Sequence, residues 1–158
     1  MMQSAFRNPH SAISLVLAGP GSLEALWPRP LPTGVEVRNR LIGDEESLDL
    51  FRRCGLLALP YLDATQSALV AAAYFFRKPV LVTRTGALPE YVQDGRTGWV
   101  VEPGDAAALA DCLAEALAGP ARLARMGAAG RAWYDEQRTL ERETMLAMYE
   151  RVVGTAKG

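Results

Sequence analysis

The stretch "LLALPYLDATQSALVAAAYFFRKPVLVT", residues 56–83, has the pattern that decides the fold. It begins and ends with the short apolar runs "LLALP" and "PVLVT", which are typical of strands buried on both faces. Between them, "ATQSALVAAAYFF" is apolar nearly all round and rich in helix-forming residues, which predicts a buried helix over 64–76. A strand, a helix and a second strand in this order indicate a parallel sheet.

The same alternation continues on both sides of this unit. Earlier in the chain, strands are predicted at residues 12–19 and 35–42, followed by a helix over 44–54 with Asp44 as its cap. Later, a short helix near 89–93 and a strand at 99–101 are followed by three helical segments, the last over 138–155. We therefore expect an α/β fold, a Rossmann-like parallel sheet sandwiched by helices with a helical C-terminal tail. One domain over residues 1–158 is expected from the length.

Composition excludes several classes of protein. The net charge of −1 argues against a partner held by bulk electrostatics, such as a nucleic acid or a membrane surface. His10 is the only histidine, which argues against a multi-histidine metal site or a histidine-based triad. Cys54 and Cys112 lack CxxC spacing and are expected to be small buried residues in a reducing cytosol. No apolar run approaches the ~20 residues of a membrane span. A cytoplasmic protein without metal, cofactor or transmembrane segment is predicted.

Three loops are expected to share one edge of the sheet, because ligands bind outside the carboxyl ends of parallel strands. They are "GPG" (19–21), "YLDATQS" (61–67) and "RTGALPE" (84–90). In the second loop, Thr65 and Ser67 lie at or near the start of the predicted helix. Unpaired N–H groups and the helix dipole there form an anion site. The alternative is that one of these two hydroxyl residues is only an N-cap.

The third loop has similar features. Gly86 permits a close approach of the backbone, and Pro89 suits the first turn of a short helix. Glu90 lies in that turn, where its carboxylate either complements the helix dipole or accepts hydrogen bonds from sugar hydroxyls. Two such loops at one edge indicate a binding site for a polar, anionic ligand.

The ordered motifs of residues 13–153 resemble the carboxy-terminal, donor-binding half of a retaining glycosyltransferase of the GT-B architecture, in the large bacterial group 1 family. "LVLAGPG" (15–21) is similar to the strand and glycine loop near the donor. "LALPY" followed by "DATQSA" (57–68) resembles a branch of the family with an "ATQSG" loop. "KPVLVTRTGALPEYVQDGRTGWVVEPGD" (78–105) resembles the signature "KPVvaT..GGlpE.v.dG.tG.lv.pgD".

This resemblance implies binding of a nucleotide-diphosphate sugar, linked to UDP or GDP, with no residue assigned to catalysis. The residues implied to contact the donor diphosphate are Gly19, Gly21, Thr65, Gln66 and Ser67. Those implied to contact the transferred sugar or its phosphates are Gly86, Ala87, Leu88 and Glu90. Glu90 and residues 94–98 are expected to shape the loop rather than to take part in chemistry.

The chain also departs from the family pattern. Ala68, Arg77 and Ala87 replace glycines of the relatives, and Ala64 and Ala72 stand where many relatives have paired glutamates. The Arg and Lys that grip the pyrophosphate and the whole acceptor domain are not recognisable here. These departures predict a donor-binding domain that is inactive alone and is completed by an acceptor-domain chain, on which the helix over 138–155 would pack. The alternative is a truncated or degenerate, non-catalytic interaction module of the same fold.

Two other enzyme classes fit the residues less well. A 2-epimerase of the same architecture would need acid–base groups that the predicted cleft does not clearly supply. A dinucleotide-binding dehydrogenase would need a third glycine after "GPGSLE".

Overall fold

The computed structural model describes residues 14–21 and 30–155. His10 and the predicted start of the first strand at residue 12 lie outside these residues. Five strands are present in the described part of the chain: β1 Leu15–Ala18, β2 Val35–Arg38, β3 Leu57–Leu59, β4 Val80–Thr83 and β5 Gly98–Val101. They alternate with four α-helices: α1 Asp44–Arg53, α2 Ala68–Phe75, α3 Ala106–Ala118 and α4 Pro120–Thr155. A short 3-10 helix spans Leu88–Tyr91.

The described strands form two sheets, and every pairing is parallel. β1 pairs with β2, and β4 lies between β3 and β5 in the second sheet. The chain divides into two compact units, residues 1–49 and residues 50–158, and each is described by itself below. The expectation of one domain over residues 1–158 stays a prediction.

The core of the second unit is built around β4, whose four residues are all buried. Val80 and Val82 belong to one apolar cluster, with side chains of α2, whereas Leu81 belongs to the other, with side chains of α3 and α4. Successive side chains of a strand point to opposite faces, so one fully apolar strand supplies both clusters. This accounts for the continuous apolar run "VLVT" and confirms a sheet covered by helices on both faces.

The start of α2 differs from the predicted boundary. The helix begins at Ala68 rather than at residue 64, because Ser67 has an extended backbone and caps it. The Ser67 hydroxyl accepts a hydrogen bond from Leu69 N at 3.3 Å. Residues 64–67 therefore remain in the loop that precedes the helix. In α1, similarly, Asp44 is the first helical residue instead of the residue that precedes the helix.

The last two helical segments are one helix. The prediction placed a break at the Gln-Arg-Thr stretch, but α4 continues through residues 137–139 without interruption. This stretch contains neither Gly nor Pro, so nothing in it disfavours the helical backbone strongly enough to end the helix. The segment over 138–155 is therefore the C-terminal half of α4, and the side chains of residues 138–153 are exposed.

The end of α2 places a non-glycine residue in the left-handed region. Arg77 has φ of +56°. Its amide donates to Tyr74 O at 2.9 Å and the next amide, Lys78 N, donates to Ala73 O at 2.8 Å. These hydrogen bonds terminate the helix in the way that usually favours glycine at this position.

Candidate functional site

The loops after β3 and β4 lie side by side at the carboxyl edge of the second sheet. We call residues 60–67 the β3–α2 loop and residues 84–87 the β4 loop. The Thr83 hydroxyl, at the end of β4, donates to Tyr61 O at 2.6 Å. One step further, Ala64 N donates to the Thr85 hydroxyl at 3.3 Å. The structure thus brings together two of the three loops that were expected to share an edge.

Gly86 allows the two loops to touch. It has φ of +50°, in the left-handed region. A Cβ atom on Gly86 would lie 2.0 Å from Ala64 O and 2.5 Å from Thr65 O. Next to it, Ala87 N donates to Thr65 O at 2.8 Å. The close approach expected at Gly86 is therefore made to the backbone of the β3–α2 loop.

The start of α2 presents N–H donors that the protein does not use. Within the described residues, the amides of Thr65, Gln66 and Ser67 have no hydrogen-bond acceptor. Thr65 and Gln66 are exposed and Ser67 is half-buried. Ser67 is the N-cap of α2. The use of the preceding amides by an anion stays a prediction.

The amides of the β4 loop are largely engaged. Besides the bond from Ala87 N, Leu88 N donates to Thr85 O at 3.2 Å. Because the amides of Ala87 and Leu88 are engaged, a contact of these two residues with the donor would have to use atoms other than the amide N–H, and this contact stays a prediction. Glu90 lies in the 3-10 helix with its side chain exposed, and its carboxylate has no partner in the part of the chain described. Because the carboxylate is exposed and unpaired, Glu90 keeps both of its proposed roles, as a complement to the helix dipole and as an acceptor of hydrogen bonds from a sugar.

In the first unit, the glycine loop after β1 is tied to the end of β2. Gly19 N donates to Arg38 O at 3.1 Å, and Gly21 N donates to the Asn39 side chain at 2.8 Å. Both amides therefore have protein acceptors, and a role of these glycines in diphosphate binding stays a prediction.

The first unit also contains an ion-pair cluster that the sequence reasoning missed. Glu46, in the first turn of α1, accepts from Arg38 Nη1 at 2.9 Å and from Arg40 Nη1 at 2.6 Å. The hydrogen bond from Arg40 is the main reason that the pKa of Glu46 is lowered. The available signal was two arginines after a strand and an acidic residue at a helix start. The cluster holds α1 to β2, so these arginines have a structural partner.

The turn-rich segment after the 3-10 helix is held by hydrogen bonds, one of which joins two buried hydroxyl groups. The Tyr74 hydroxyl, from α2, lies 2.7 Å from the Thr97 hydroxyl, which also accepts from Gln93 N at 2.9 Å. Asp94 Oδ1 accepts from Val100 N at 3.0 Å. Burial raises the pKa of the Tyr74 phenol to about 12. Residues 94–98 thus shape the loop, and Tyr74, an isolated hydroxyl in an apolar helix, is the residue that secures it.

Three further observations concern metal ligands, a surface ion pair and the helices. Among the described residues, no three His, Cys, Asp or Glu side chains come together as metal ligands. Arg84, the first residue after β4, pairs with Glu102 at 2.7 Å. In residues 14–21 and 30–155, no helix is both long and apolar enough to cross a bilayer. Among the described residues, the groups of the two loops and the 3-10 helix without a protein partner include the amides of residues 65–67 and the Glu90 carboxylate.

Comparison with known proteins identifies the family. The family model described as "Glycosyl transferases group 1" matches residues 2–119. The D-inositol 3-phosphate glycosyltransferase of Streptomyces scabiei is 38% identical over 91 residues, which are 58% of this chain and 20% of the relative. The GDP-mannose-dependent alpha-(1-6)-phosphatidylinositol monomannoside mannosyltransferase of Mycolicibacterium smegmatis is 35% identical over 146 residues, covering 80% of this chain and 36% of the relative. The chain thus spans between about a fifth and about a third of these relatives.

Solved structures agree on the fold. Anabaena Alr3699/HepE in complex with UDP matches 87% of this chain and 41% of its own chain, with a TM-score of 0.71 and 16% identity. The likeness confirms the predicted α/β class, with parallel sheets flanked by helices as in glycosyltransferases of GT-B architecture. Because the family model covers most of its residues, the chain belongs to the group 1 glycosyl transferases.

Proposed function

We propose that this chain is the donor-binding part of a retaining glycosyltransferase and that it binds a nucleotide-diphosphate sugar linked to UDP or GDP. The observation that carries the proposal is the group of three amides, Thr65 to Ser67, that precede α2 without a protein acceptor. The relatives give further support, since the Anabaena structure contains UDP and the mycobacterial relative is named as GDP-mannose-dependent. Retention of configuration is inferred from the resemblance to the retaining family.

The chemistry suits a diphosphate. As the bond between sugar and phosphate stretches, negative charge collects on the nucleotide diphosphate that leaves. N–H donors that are already oriented stabilise this charge without reorganising during the reaction. The dipole of α2 acts in the same direction, because its positive end lies at the three amides.

Completion by an acceptor domain is part of the proposal. In α4, the exposed residues Met145, Tyr149 and Val152 follow the spacing of one helix face. Exposed apolar residues grouped in this way mark an interaction surface. We infer that this half of α4, over residues 138–155, packs on the acceptor domain and that the chain does not transfer sugar without it.

The same surface favours the second candidate, a non-catalytic interaction module. In that case the apolar face of α4 would bind a protein while the three amides bind no nucleotide. Nucleotide binding therefore distinguishes the two candidate functions.

The test is a nuclear magnetic resonance titration of the full chain with UDP, GDP, UDP-glucose and GDP-mannose, with uridine and guanosine as controls lacking phosphate. We expect one diphosphate series to shift the amide signals of Thr65, Gln66 and Ser67, and the nucleosides to leave them unchanged. If every nucleotide at millimolar concentration leaves these three signals in place, the donor-binding proposal is refuted and the interaction module remains.

Glu90 offers a second test on the sugar. If its carboxylate accepts hydrogen bonds from sugar hydroxyls, Glu90→Gln will weaken the binding of the nucleotide sugar and leave the binding of the bare nucleotide unchanged. A matched control is Glu136→Gln, an exposed acid on α4. Equal affinities of wild type and Glu90→Gln for both ligands would restrict Glu90 to the dipole role.

A further inference from the structure

The β3–α2 loop, residues 60–67, depends on the β4 side for its conformation. Backbone pairing between β3 and β4 ends at Leu59 and Val82, and the next residue, Pro60, has no N–H group to continue it. Among the described residues, no hydrogen bond joins two backbone groups within this loop. Its shape must therefore be set by its neighbours.

The neighbouring strand continues the pairing with hydroxyl groups. Three alternate residues of the β4 side hold the loop: the Thr83 hydroxyl bonds Tyr61 O, the Thr85 hydroxyl bonds Ala64 N, and Ala87 N bonds Thr65 O. The contacts come from every second residue, although only Thr83 belongs to the strand: Gly86 has φ of +50°, and Ala87 has φ of −86° and ψ of 2°. Thr83 is buried at the end of the strand, whereas Thr85 is half-buried at the loop itself.

We propose that Thr85 is a positioning residue for the diphosphate, acting through the amides of the β3–α2 loop; this inference rests on the proposed function. The Thr65 N–H belongs to the peptide between Ala64 and Thr65. Before this peptide, the Thr85 hydroxyl accepts from Ala64 N, and after it, Thr65 O accepts from Ala87 N, so both of its ends are held. The carbonyl of that same peptide, Ala64 O, faces Gly86. In a trans peptide the C=O and N–H groups point in opposite directions, so the Thr65 N–H is directed away from Gly86.

Removal of the Thr85 hydroxyl leaves one side of this peptide without its hydrogen bond. The peptide can then turn, and the Thr65 N–H loses its fixed direction. A hydrogen bond of this kind typically accounts for a factor of about five in an equilibrium constant. The role proposed for Thr85 is positioning alone: its hydroxyl oxygen accepts from Ala64 N, and the amides of the β3–α2 loop bind the diphosphate.

The experiment compares four variants of the full chain by calorimetric titration with UDP and with GDP. We expect Thr85→Val and Thr85→Ala to bind the preferred nucleotide about fivefold more weakly, and Thr85→Ser, which keeps the hydroxyl, to bind within about twofold of wild type. The matched control is Thr139→Val, which removes the hydroxyl that donates to Asp135 O on α4, and its affinity should equal that of wild type.

Two further readouts separate positioning from a general loss of structure. The nucleotide-induced shifts of the Thr65, Gln66 and Ser67 amide signals should shrink in Thr85→Val and return in Thr85→Ser, although the unfolding midpoints of the two variants are similar. Should Thr85→Val not fold, Thr85→Ala carries the same comparison. Wild-type affinity in Thr85→Val or Thr85→Ala, or equal weakening in Thr85→Ser, would overturn the inference. Absence of nucleotide binding by the wild type would instead refute the proposed function, and the inference with it.

Discussion

Replacement of Gly86 by alanine should destabilise the second unit by about 3 kcal/mol. The left-handed backbone, with φ of +50°, costs a residue that carries a Cβ about 1 kcal/mol. The new Cβ would lie 2.0 Å from Ala64 O and 2.5 Å from Thr65 O, and both are backbone atoms that cannot swing aside. The β3–α2 loop must therefore move, which breaks the bond from Ala87 N to Thr65 O and the bond from Ala64 N to Thr85. Each is typically about 1 kcal/mol.

A second glycine provides the matched control. Gly95 also has a positive φ, +73°, but a Cβ there would have no atom within 4 Å. Gly95→Ala therefore carries the backbone strain without the collision, and it should cost about 1 kcal/mol. The difference between the two variants, about 2 kcal/mol, measures how firmly Gly86 holds the β3–α2 loop.

The assay is urea unfolding followed by tryptophan fluorescence, since Trp99 and Trp133 both lie in the second unit. Thermal unfolding should show a shift of roughly 2–4 °C for each kcal/mol in a chain of this size. Equal losses for Gly86→Ala and Gly95→Ala would refute the reasoning, because they would mean that the close approach at Gly86 does not constrain the loop.

Three other substitutions test features outside the loops. Tyr74→Phe should lose about 1–2 kcal/mol at pH 7, because two hydrogen bonds of the buried hydroxyl disappear. In the folded wild type the pKa of the Tyr74 phenol is about 12, above the ordinary value of 10.0, so the free energy of unfolding should fall as the pH rises from 10 towards 12. Tyr74→Phe should lack that decline, and parallel pH profiles of the two proteins would contradict this. Arg77→Gly should gain about 1 kcal/mol in urea unfolding by relieving the left-handed strain, whereas Arg77→Ala should gain nothing. Leu146→Gln, on the exposed half of α4, should change the unfolding free energy by less than about 0.5 kcal/mol, whereas Met126→Gln, which is buried, should lose about 2 kcal/mol or more; similar effects would show that Leu146 is covered in solution.

The elements with strong apolar patterns could be predicted from the sequence. The run "VLVT" in β4 is buried at every position, and no amphipathic helix has that pattern over so few residues. Element boundaries were harder. Thr65 and Ser67 are both competent caps, and only the extended backbone at Ser67 decides that α2 begins at Ala68. The continuity of α4 was missed because the Gln-Arg-Thr stretch, residues 137–139, is polar and was taken for a loop between two helices.

The meeting of the two loops at one edge of the sheet could be predicted, but not which of their amides have a protein acceptor. Gly86 indicated a close approach, yet the approaching atoms, Ala64 O and Thr65 O, lie 22 and 21 positions earlier in the chain. Which N–H groups are occupied depends on the register between the β3–α2 loop and the β4 side, and no local pattern encodes it. For the same reason, Thr83 looked like an ordinary strand residue and Thr85 like an ordinary loop residue, although the hydroxyls of both bind the β3–α2 loop.

The length of α4 determines how its C-terminal half unfolds locally. Its C-terminal half continues a helix that is already packed against α2 and α3, so it has no nucleation cost and needs only propagation. Its exposed side chains add little to hold it closed. Backbone amides should therefore exchange with solvent deuterium in a gradient, fastest near residue 155 and slowing towards Gln137, while the central strand stays protected. Fraying of this kind lets the tail lose order one turn at a time without disturbing the sheet edge where the β3–α2 loop and the β4 loop meet.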